Sequence, residues 1–467
     1  MIFNSYIFLF GFFPITFIVF WLLKNRQHRY IWLTLTGYIF YGYWNWKFVL
    51  LMLVTTSVDF FAAQYIEQHT DNKRKMKYGL LVSIIVGIGM LVYFKYANFF
   101  AGSFVGVINL FGLTLPKPNF NIILPISISF YIFETISYTV DVYRRKIHAT
   151  KNFFEYSTFI AFFPHLVAGP ILRYADLAHD LDNIDKQPKT DFFFRGINLF
   201  VIGLIKKVII ADSIAAVIDP MLANYAGLSS VGAWLAILGY TYQLYFDFSG
   251  YSDMAIGLGS LFGFKFLQNF NSPYKATSIT DFWRRWHISL SGWLRDYLYI
   301  PLGGSRLTPS RTYINLMLTM FLGGLWHGAN WTFAIWGIYH GALLSIHKMF
   351  TNTYEKIPVF IQRTLTFLLV MIGWVFFRSS DFTMAAVWLK KMFTLPLANL
   401  NWAGISAYGS QLVILLFAAT IITQFFKNTF EINYSPKLKY AIGLAVAFVI
   451  CLVLLNYKQS VFIYYQF

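Results

Sequence analysis

Apolar runs recur along the whole chain, separated by short polar breaks rich in Lys, Arg, Asn and Pro. A helix needs roughly 20 consecutive apolar residues to cross the hydrocarbon of a bilayer. Runs of that order lie at about residues 6–23, 30–45, 48–66, 78–96, 122–142, 193–210, 232–262, 312–328, 331–349, 364–378, 409–427 and 438–456. They are continuous rather than alternating, which predicts helices and disfavours a β-barrel. The expected fold class is all-α: a polytopic membrane protein forming one integral-membrane domain over 1–467. Its core occupies about 120–350 and its C-terminal helices about 360–467.

Some stretches depart from this pattern. Residues 97–114 are apolar but interrupted by glycines, and predict a short interfacial helix. Asp176–Asp191 is the longest hydrophilic connection and predicts a solvated loop. Phe153–Pro170 is apolar but broken by Pro164 and Pro170, which free backbone groups that lipid cannot satisfy. Ser278–Ile300 is aromatic yet carries Asp281, Arg284, Arg285, His287, Arg295 and Asp296. These last two stretches predict re-entrant or interfacial segments packed inside the protein.

Composition sharpens the class. Only 12% of the 467 residues are charged and 57% are hydrophobic, against about 25% charged in soluble domains. A soluble enzyme is excluded on that balance. The net charge of +17 would raise nucleic acid as a partner of a soluble protein. Here basic loops facing an anionic leaflet explain it, so the bilayer and not nucleic acid is the expected partner. Clusters at Lys24, Arg26 and Arg29, at Lys73, Arg74, Lys75 and Lys77, and at Arg144, Arg145 and Lys146 follow alternate spans. All three fall in the cytoplasm, with the N-terminus outside, provided 97–114 makes no crossing. The N-terminal stretch lacks the basic region of a cleavable signal and predicts a retained first helix. Cys451 is the single cysteine, so no intramolecular disulfide and no cysteine-based metal cluster forms; no metal is expected.

Ionisable groups inside a membrane segment are costly, and their default reading is functional. His327 ends an apolar run in Leu325-Trp-His-Gly-Ala-Asn-Trp331. A neutral imidazole can take a proton from a hydroxyl near neutral pH. Asn330 would orient that ring if the helix continued past it. His340 lies 13 residues on, about 140° away around one straight helix, so the two imidazoles share a face only if the chain breaks at Gly328 or Asn330. For His340 the reading is structural. His287 is either a second polar group in the same cavity or an interfacial aromatic beside Trp283 and Trp286. His165, between two prolines, lines a re-entrant loop. Arg284, Arg285, Arg295, Arg306 and Arg311 anchor to lipid headgroups or dock a phosphate-bearing donor, because guanidinium pairs bidentately with phosphate. Asp59, Glu134, Asp247 and Asp253 line polar cavities or pair with cations. No Walker loop, nucleophile elbow or His-Glu-x-x-His metal site occurs. Gly257-Leu-Gly-Ser-Leu-Phe-Gly263 lacks dinucleotide-loop spacing and reads as close helix packing.

Several motifs together carry a resemblance: Leu124-Pro-Ile-Ser-Ile-Ser-Phe130, Phe163-Pro-His-Leu-Val-Ala-Gly-Pro170, Tyr245-Phe-Asp-Phe-Ser-Gly-Tyr-Ser-Asp253, Asp281-Phe-Trp-Arg-Arg-Trp-His-Ile-Ser-Leu290, Tyr299-Ile-Pro-Leu-Gly-Gly304 and Leu325-Trp-His-Gly-Ala-Asn-Trp331. The chain resembles the membrane-bound O-acyltransferase (MBOAT) family over nearly its whole length, within it the bacterial alginate, peptidoglycan and cellulose O-acetylation branch. The resemblance implies about eleven crossing helices with re-entrant segments around a central tunnel. It places the family's invariant histidine at His327 and its variable second polar position at His287; Asn330 joins the catalytic set for its place three residues beyond His327. Arg284, Arg285, Arg295 and Trp326 form the set expected to hold the donor, acetyl-CoA. It further implies a bacterial inner-membrane enzyme that acetylates an extracytoplasmic polysaccharide through an SGNH-type or acetyl-accepting partner, beside the polymer synthesis and export machinery. D-alanyl transfer from a carrier protein and non-enzymatic glycan transport are the alternatives.

Overall fold

The computed structural model describes residues 1–116, 118–186, 190–394, 409–432, 437–456 and 462–463. Among them every regular element is helical. Each of the apolar runs contains a helix, and further helices lie between the runs; in chain order they are α1 (Phe13–Leu22), α2 (Arg26–Gly42), α3 (Lys47–Gln68), α4 (Lys73–Leu91), α5 (Ala97–Leu110), α6 (Ile128–Tyr143), α7 (Phe153–Ala161), α8 (Phe163–Leu166), α9 (Tyr174–Asp182), α10 (Thr190–Ile205), α11 (Asp212–Ala223), α12 (Ser230–Leu261), α13 (Ile279–Arg285), α14 (Ile288–Leu294), α15 (Pro309–His327), α16 (Trp331–Met349), α17 (Thr351–Tyr354), α18 (Val359–Arg378) and α19 (Phe382–Phe393), then Gly409–Phe425 and Leu438–Leu454. By length and apolarity alone, three stretches among the described residues can cross a membrane: Lys47–Gln68, Lys73–Leu110 and Val359–Arg378. Others, such as the 32-residue α12, are long enough but carry polar side chains such as Asp247 and Asp253, which are buried inside protein.

The chain divides into two compact units. The first comprises Met1–Ile197 and Ala255–Leu267; the second comprises Asn198–Met254 and Gln268–Phe467. In the first unit the three basic loops meet at one end. Asn152 Nδ2 donates to Gln27 Oε1 at 2.6 Å, Arg145 donates to the Thr70 carbonyl, and His148 Nδ1 lies 2.8 Å from Glu67 Oε1. The proline-broken stretch after α7 is buried throughout, as a re-entrant segment must be. Glu134 of α6 holds it at two points: His165 Nδ1 lies 3.0 Å from Oε1, and the Leu172 N–H donates to the same oxygen at 3.2 Å.

Two expectations change here. Residues 97–110 are not a separate interfacial helix: α4 runs through a π-helical turn at Val92–Tyr96 directly into α5, giving 38 continuous helical residues. Glycines at 102 and 106 have open space around them and break nothing. The stretch expected as a solvated loop from Asp176 begins inside α9, whose Tyr174, Leu177 and Leu181 are buried. That spacing of i, i+3 and i+7 makes one apolar stripe, which the high polar content concealed. The Gly257–Gly263 stretch does pack closely, a Cβ at Gly196 falling 2.8 Å from the Gly257 carbonyl oxygen.

In the second unit α15 and α16 form a helical hairpin. A Cβ at Gly324 would lie 2.3 Å from the Phe333 carbonyl oxygen, and one at Gly337 would lie 2.2 Å from that of Met320. Only glycine permits such backbone approach, the small-residue packing expected of membrane helices. The hairpin places the end of α15 against the first turns of α16.

Candidate active site

The α15–α16 turn fixes His327. The helix ends on it, Gly328 is extended, and Asn330 caps the next helix by accepting the Thr332 N–H at 3.1 Å. The chain breaks where the sequence allows it to, between the two histidines. A Cβ at Gly328 would collide with the Phe333 ring at 2.1 Å, so the tight turn demands glycine there. Asn330 does not continue α15 toward the imidazole. Its Nδ2 donates to the Ser380 carbonyl at 2.7 Å, while Thr332 Oγ1 donates to that of Ser379 at 3.2 Å. These bonds tie the end of α18 to the start of α16 and bring Phe377 alongside His327.

His327 is 5% exposed and surrounded by rings. Trp326, Trp336 and Phe377 have centroids 5.0, 5.1 and 5.2 Å from it, all near edge-on. His287 is fully buried, its ring 6.3 Å from that of His327 and 6.1 Å from Trp326. Phe248 of α12 meets His287 edge-on at 4.7 Å. The structure therefore brings His287, His327 and Trp326 together, and the edge-on rings present apolar walls around two polar side chains.

His287 takes its place through an unusual backbone. It caps α14 with φ 44° and ψ 56°, in the left-handed region, where histidine occurs more readily than most residues. The flanking helices form for identifiable reasons. Ser278 Oγ accepts the Asp281 N–H and Asp281 Oδ2 accepts the Thr277 N–H, both at 3.1 Å, opening α13. Asn269 then closes the break: its carbonyl accepts from Ile288 N–H at 2.9 Å and its Oδ1 from Ser289 N–H at 3.2 Å and Ser289 Oγ at 3.0 Å. These bonds satisfy donors that an α14 starting inside the protein would otherwise leave bare.

His340 sits one turn beyond Trp336, with ring centroids 5.0 Å apart, and Trp283 donates its indole N–H to His340 Nδ1 at 3.4 Å. Trp336 thus contacts both His327 and His340. The arginines separate into distinct situations. Arg285 is spoken for by Asp281 at 2.8 Å and by the Asn271 carbonyl at 3.3 Å. Arg295 pairs with neighbouring Asp296 at 2.6 Å while its side chain stays 64% exposed. Arg284, Arg306 and Arg311 are exposed.

Trp336, Phe377, Phe248 and Asn269 were not singled out by the sequence. Asn269 had a weak signal, lying in the polar Gln268-Asn-Phe-Asn-Ser272 that separates an apolar helix from the aromatic segment. The rings had none, because one aromatic among many in an apolar chain looks like any other.

The described residues thus form a helical membrane protein with two buried imidazoles, each at a helix end. Residues 8–380 match the model of the membrane-bound O-acyltransferase family, MBOAT, and the chain belongs to that family. It is therefore a membrane-bound O-acyltransferase. It is 44% identical over 429 residues to a probable alginate O-acetylase, AlgI, of Pseudomonas aeruginosa, covering 91% of this chain and 81% of that one. It is 37% identical to a peptidoglycan O-acetyltransferase of Helicobacter pylori, covering 84% and 80%. A teichoic acid D-alanyltransferase of Bacillus subtilis is 29% identical over 58% of this chain and 73% of its own.

Proposed function

We propose that this protein moves acetyl groups from cytoplasmic acetyl-CoA to a hydroxyl on the other side of the bacterial inner membrane, for O-acetylation of an extracytoplasmic polysaccharide. The observation that carries the reading is the buried juxtaposition of His287 and His327, 6.3 Å apart, each at a helix end. The names of the O-acetylating relatives, 44% and 37% identical, favour acetyl transfer over D-alanyl transfer, whose relative is more distant. The three basic loops gathered at one end of the first unit support a cytoplasmic face there and an extracytoplasmic N-terminus.

Acetyl-CoA is too polar to cross a bilayer, and polymer hydroxyls lie outside it. In this reading a passage between the two faces lets each substrate approach from its own side. His327 takes the proton of the acceptor hydroxyl, the oxygen adds to the acetyl carbonyl carbon, and the C–S bond breaks. The proton then passes to the departing CoA thiolate, so charge and atoms balance. General-base help of this kind is worth roughly 10²–10⁴ in rate. His287 donates to the oxyanion formed on the carbonyl. Exposed Arg284 and Arg295 meet the donor's phosphates, and Trp326 packs beside its acetyl end. The immediate acceptor is the serine of a secreted or periplasmic SGNH-type partner, which passes the acetyl group to the polymer.

The test uses membranes containing the full chain, supplied with acetyl-labelled CoA and acceptor. His327→Ala should cut label transfer by on the order of 10² or more at unchanged protein abundance. Transfer retained by the well-folded variant overturns the assignment. Preference for carrier-linked donor over acetyl-CoA would favour D-alanyl-type chemistry instead.

A further inference from the structure

Phe462 and Ile463 lie beyond residue 380, where the family match ends, yet they pack behind the wall of the candidate site. Both residues are buried, at 5% and 2% exposure. The backbone N–H of Ile463 donates to Asp247 Oδ2 at 2.9 Å. The other oxygen of Asp247 lies 2.8 Å from Lys207 Nζ, which is also 2.9 Å from Asp212 Oδ1. The anchor for Ile463 is thus a buried ion cluster that holds one carboxylate in place. Burying such charges is costly unless they are paired, and a paired set fixes geometry.

From that anchor a line of rings leads to the imidazole. Phe462 stacks on Tyr251 with centroids 4.7 Å apart, and lies 6.4 Å from Phe248. Phe248 in turn meets His287 edge-on at 4.7 Å. Asp247, Phe248 and Tyr251 occupy consecutive turns of α12, so one stretch of helix both receives Phe462 and Ile463 and touches the histidine. His287 stands in a left-handed conformation, which persists only where the surroundings over-determine it. Phe248 and Asn269 are among those surroundings, and Phe462 backs Phe248.

We infer that Phe462 is a positioning residue for His287, acting through Phe248, so that a residue outside the family-matched region helps set the geometry of the acyl-transfer site. This rests on the reading of His287 as part of that site. Loss of the Phe462 ring lets Phe248 relax toward the space it leaves, and the imidazole loses its wall. Misplacement of order 1 Å costs as much as about 10²-fold in rate.

The experiment compares wild type, Phe462→Ala, Phe462→Leu and His327→Ala in the purified full chain. One readout is the rate at which diethyl pyrocarbonate modifies His287, followed by mass spectrometry; the other is kcat and KM for acetyl transfer. Phe462→Ala should speed modification of His287 several-fold and lower kcat by about 10-fold with little change in the donor KM. Phe462→Leu, which keeps most of the apolar volume, should restore both toward wild type. If Phe462→Ala proves unstable, a partial shift in Phe462→Leu carries the test. An unchanged rate of His287 modification in folded Phe462→Ala overturns the inference. Full activity of His327→Ala overturns the functional reading instead, and leaves the modification result to judge Phe462 separately.

Discussion

The rings of His287 and His327 lie 6.3 Å apart at an angle of 52°, although 40 residues and several helix boundaries separate them in the chain. That proximity arises because α14 begins on His287 and α15 ends on His327. Each imidazole is therefore held by a helix terminus rather than by a helix interior.

The left-handed backbone at His287 makes its substitutions separable. Asn tolerates this region better than β-branched residues do. His287→Asn should keep the fold and part of the activity, since its amide N–H can still donate to the oxyanion. His287→Val should add backbone strain of about 1–3 kcal/mol and lower the melting temperature of purified protein. Equal melting temperatures for the two variants would argue against strain at this position.

Asn330 is expected to matter as a helix cap. Asn330→Ala removes the acceptor for Thr332 N–H and the donor to Ser380, costing about 0.5–2 kcal/mol of stability. Asn330→Asp keeps the acceptor and should recover part of that loss in a thermal melt. Its activity should fall far less than that of His327→Ala; a comparable fall in a stable variant would return Asn330 to a direct chemical role.

The helical hairpin depends on two glycines. Gly324→Ala and Gly337→Ala each force a methyl group toward a carbonyl oxygen closer than 2.5 Å. Overpacking of this kind costs about 1–3 kcal/mol, and the displaced α15 should carry His327 with it. The expected outcome is lower yield of folded protein together with reduced transfer per folded molecule, measured by size-exclusion and assay in detergent.

The arginines should behave differently from one another. Arg284 is exposed, so Arg284→Ala should raise the KM for acetyl-CoA, more at low ionic strength than at high, with the melting temperature unchanged. Arg285→Ala breaks contacts to Asp281 and the Asn271 carbonyl and should lower stability instead. A matched KM effect in both would mean that Arg285 leaves Asp281 to meet the donor.

The periodicity of apolar residues located every long helix, because a membrane segment must satisfy its backbone internally and announces itself by composition. It could not distinguish a break from a continuation. Residues 97–110 continue α4, whereas the chain stops at Gly328, and in both places glycine sits in an apolar run. Only the neighbours differ: nothing stands near Gly102, while the Phe333 ring stands against Gly328. Likewise the polar stretch after Arg173 hid α9, since three buried residues suffice to seat a short helix.

The sequence by itself determined the class of protein and drew attention to His327, both consequences of local composition and spacing, while the family resemblance pointed to His287. Tertiary structure decided what those residues do to one another. It spent Asn330 on a cap, Arg285 on Asp281 and Asn269 on the start of α14. It also set Phe377, Trp336 and Phe248 around the imidazoles from three separate helices. Such partnerships join residues far apart in sequence, and a polar side chain can commit its donors and acceptors only once, to whatever the fold brings within reach.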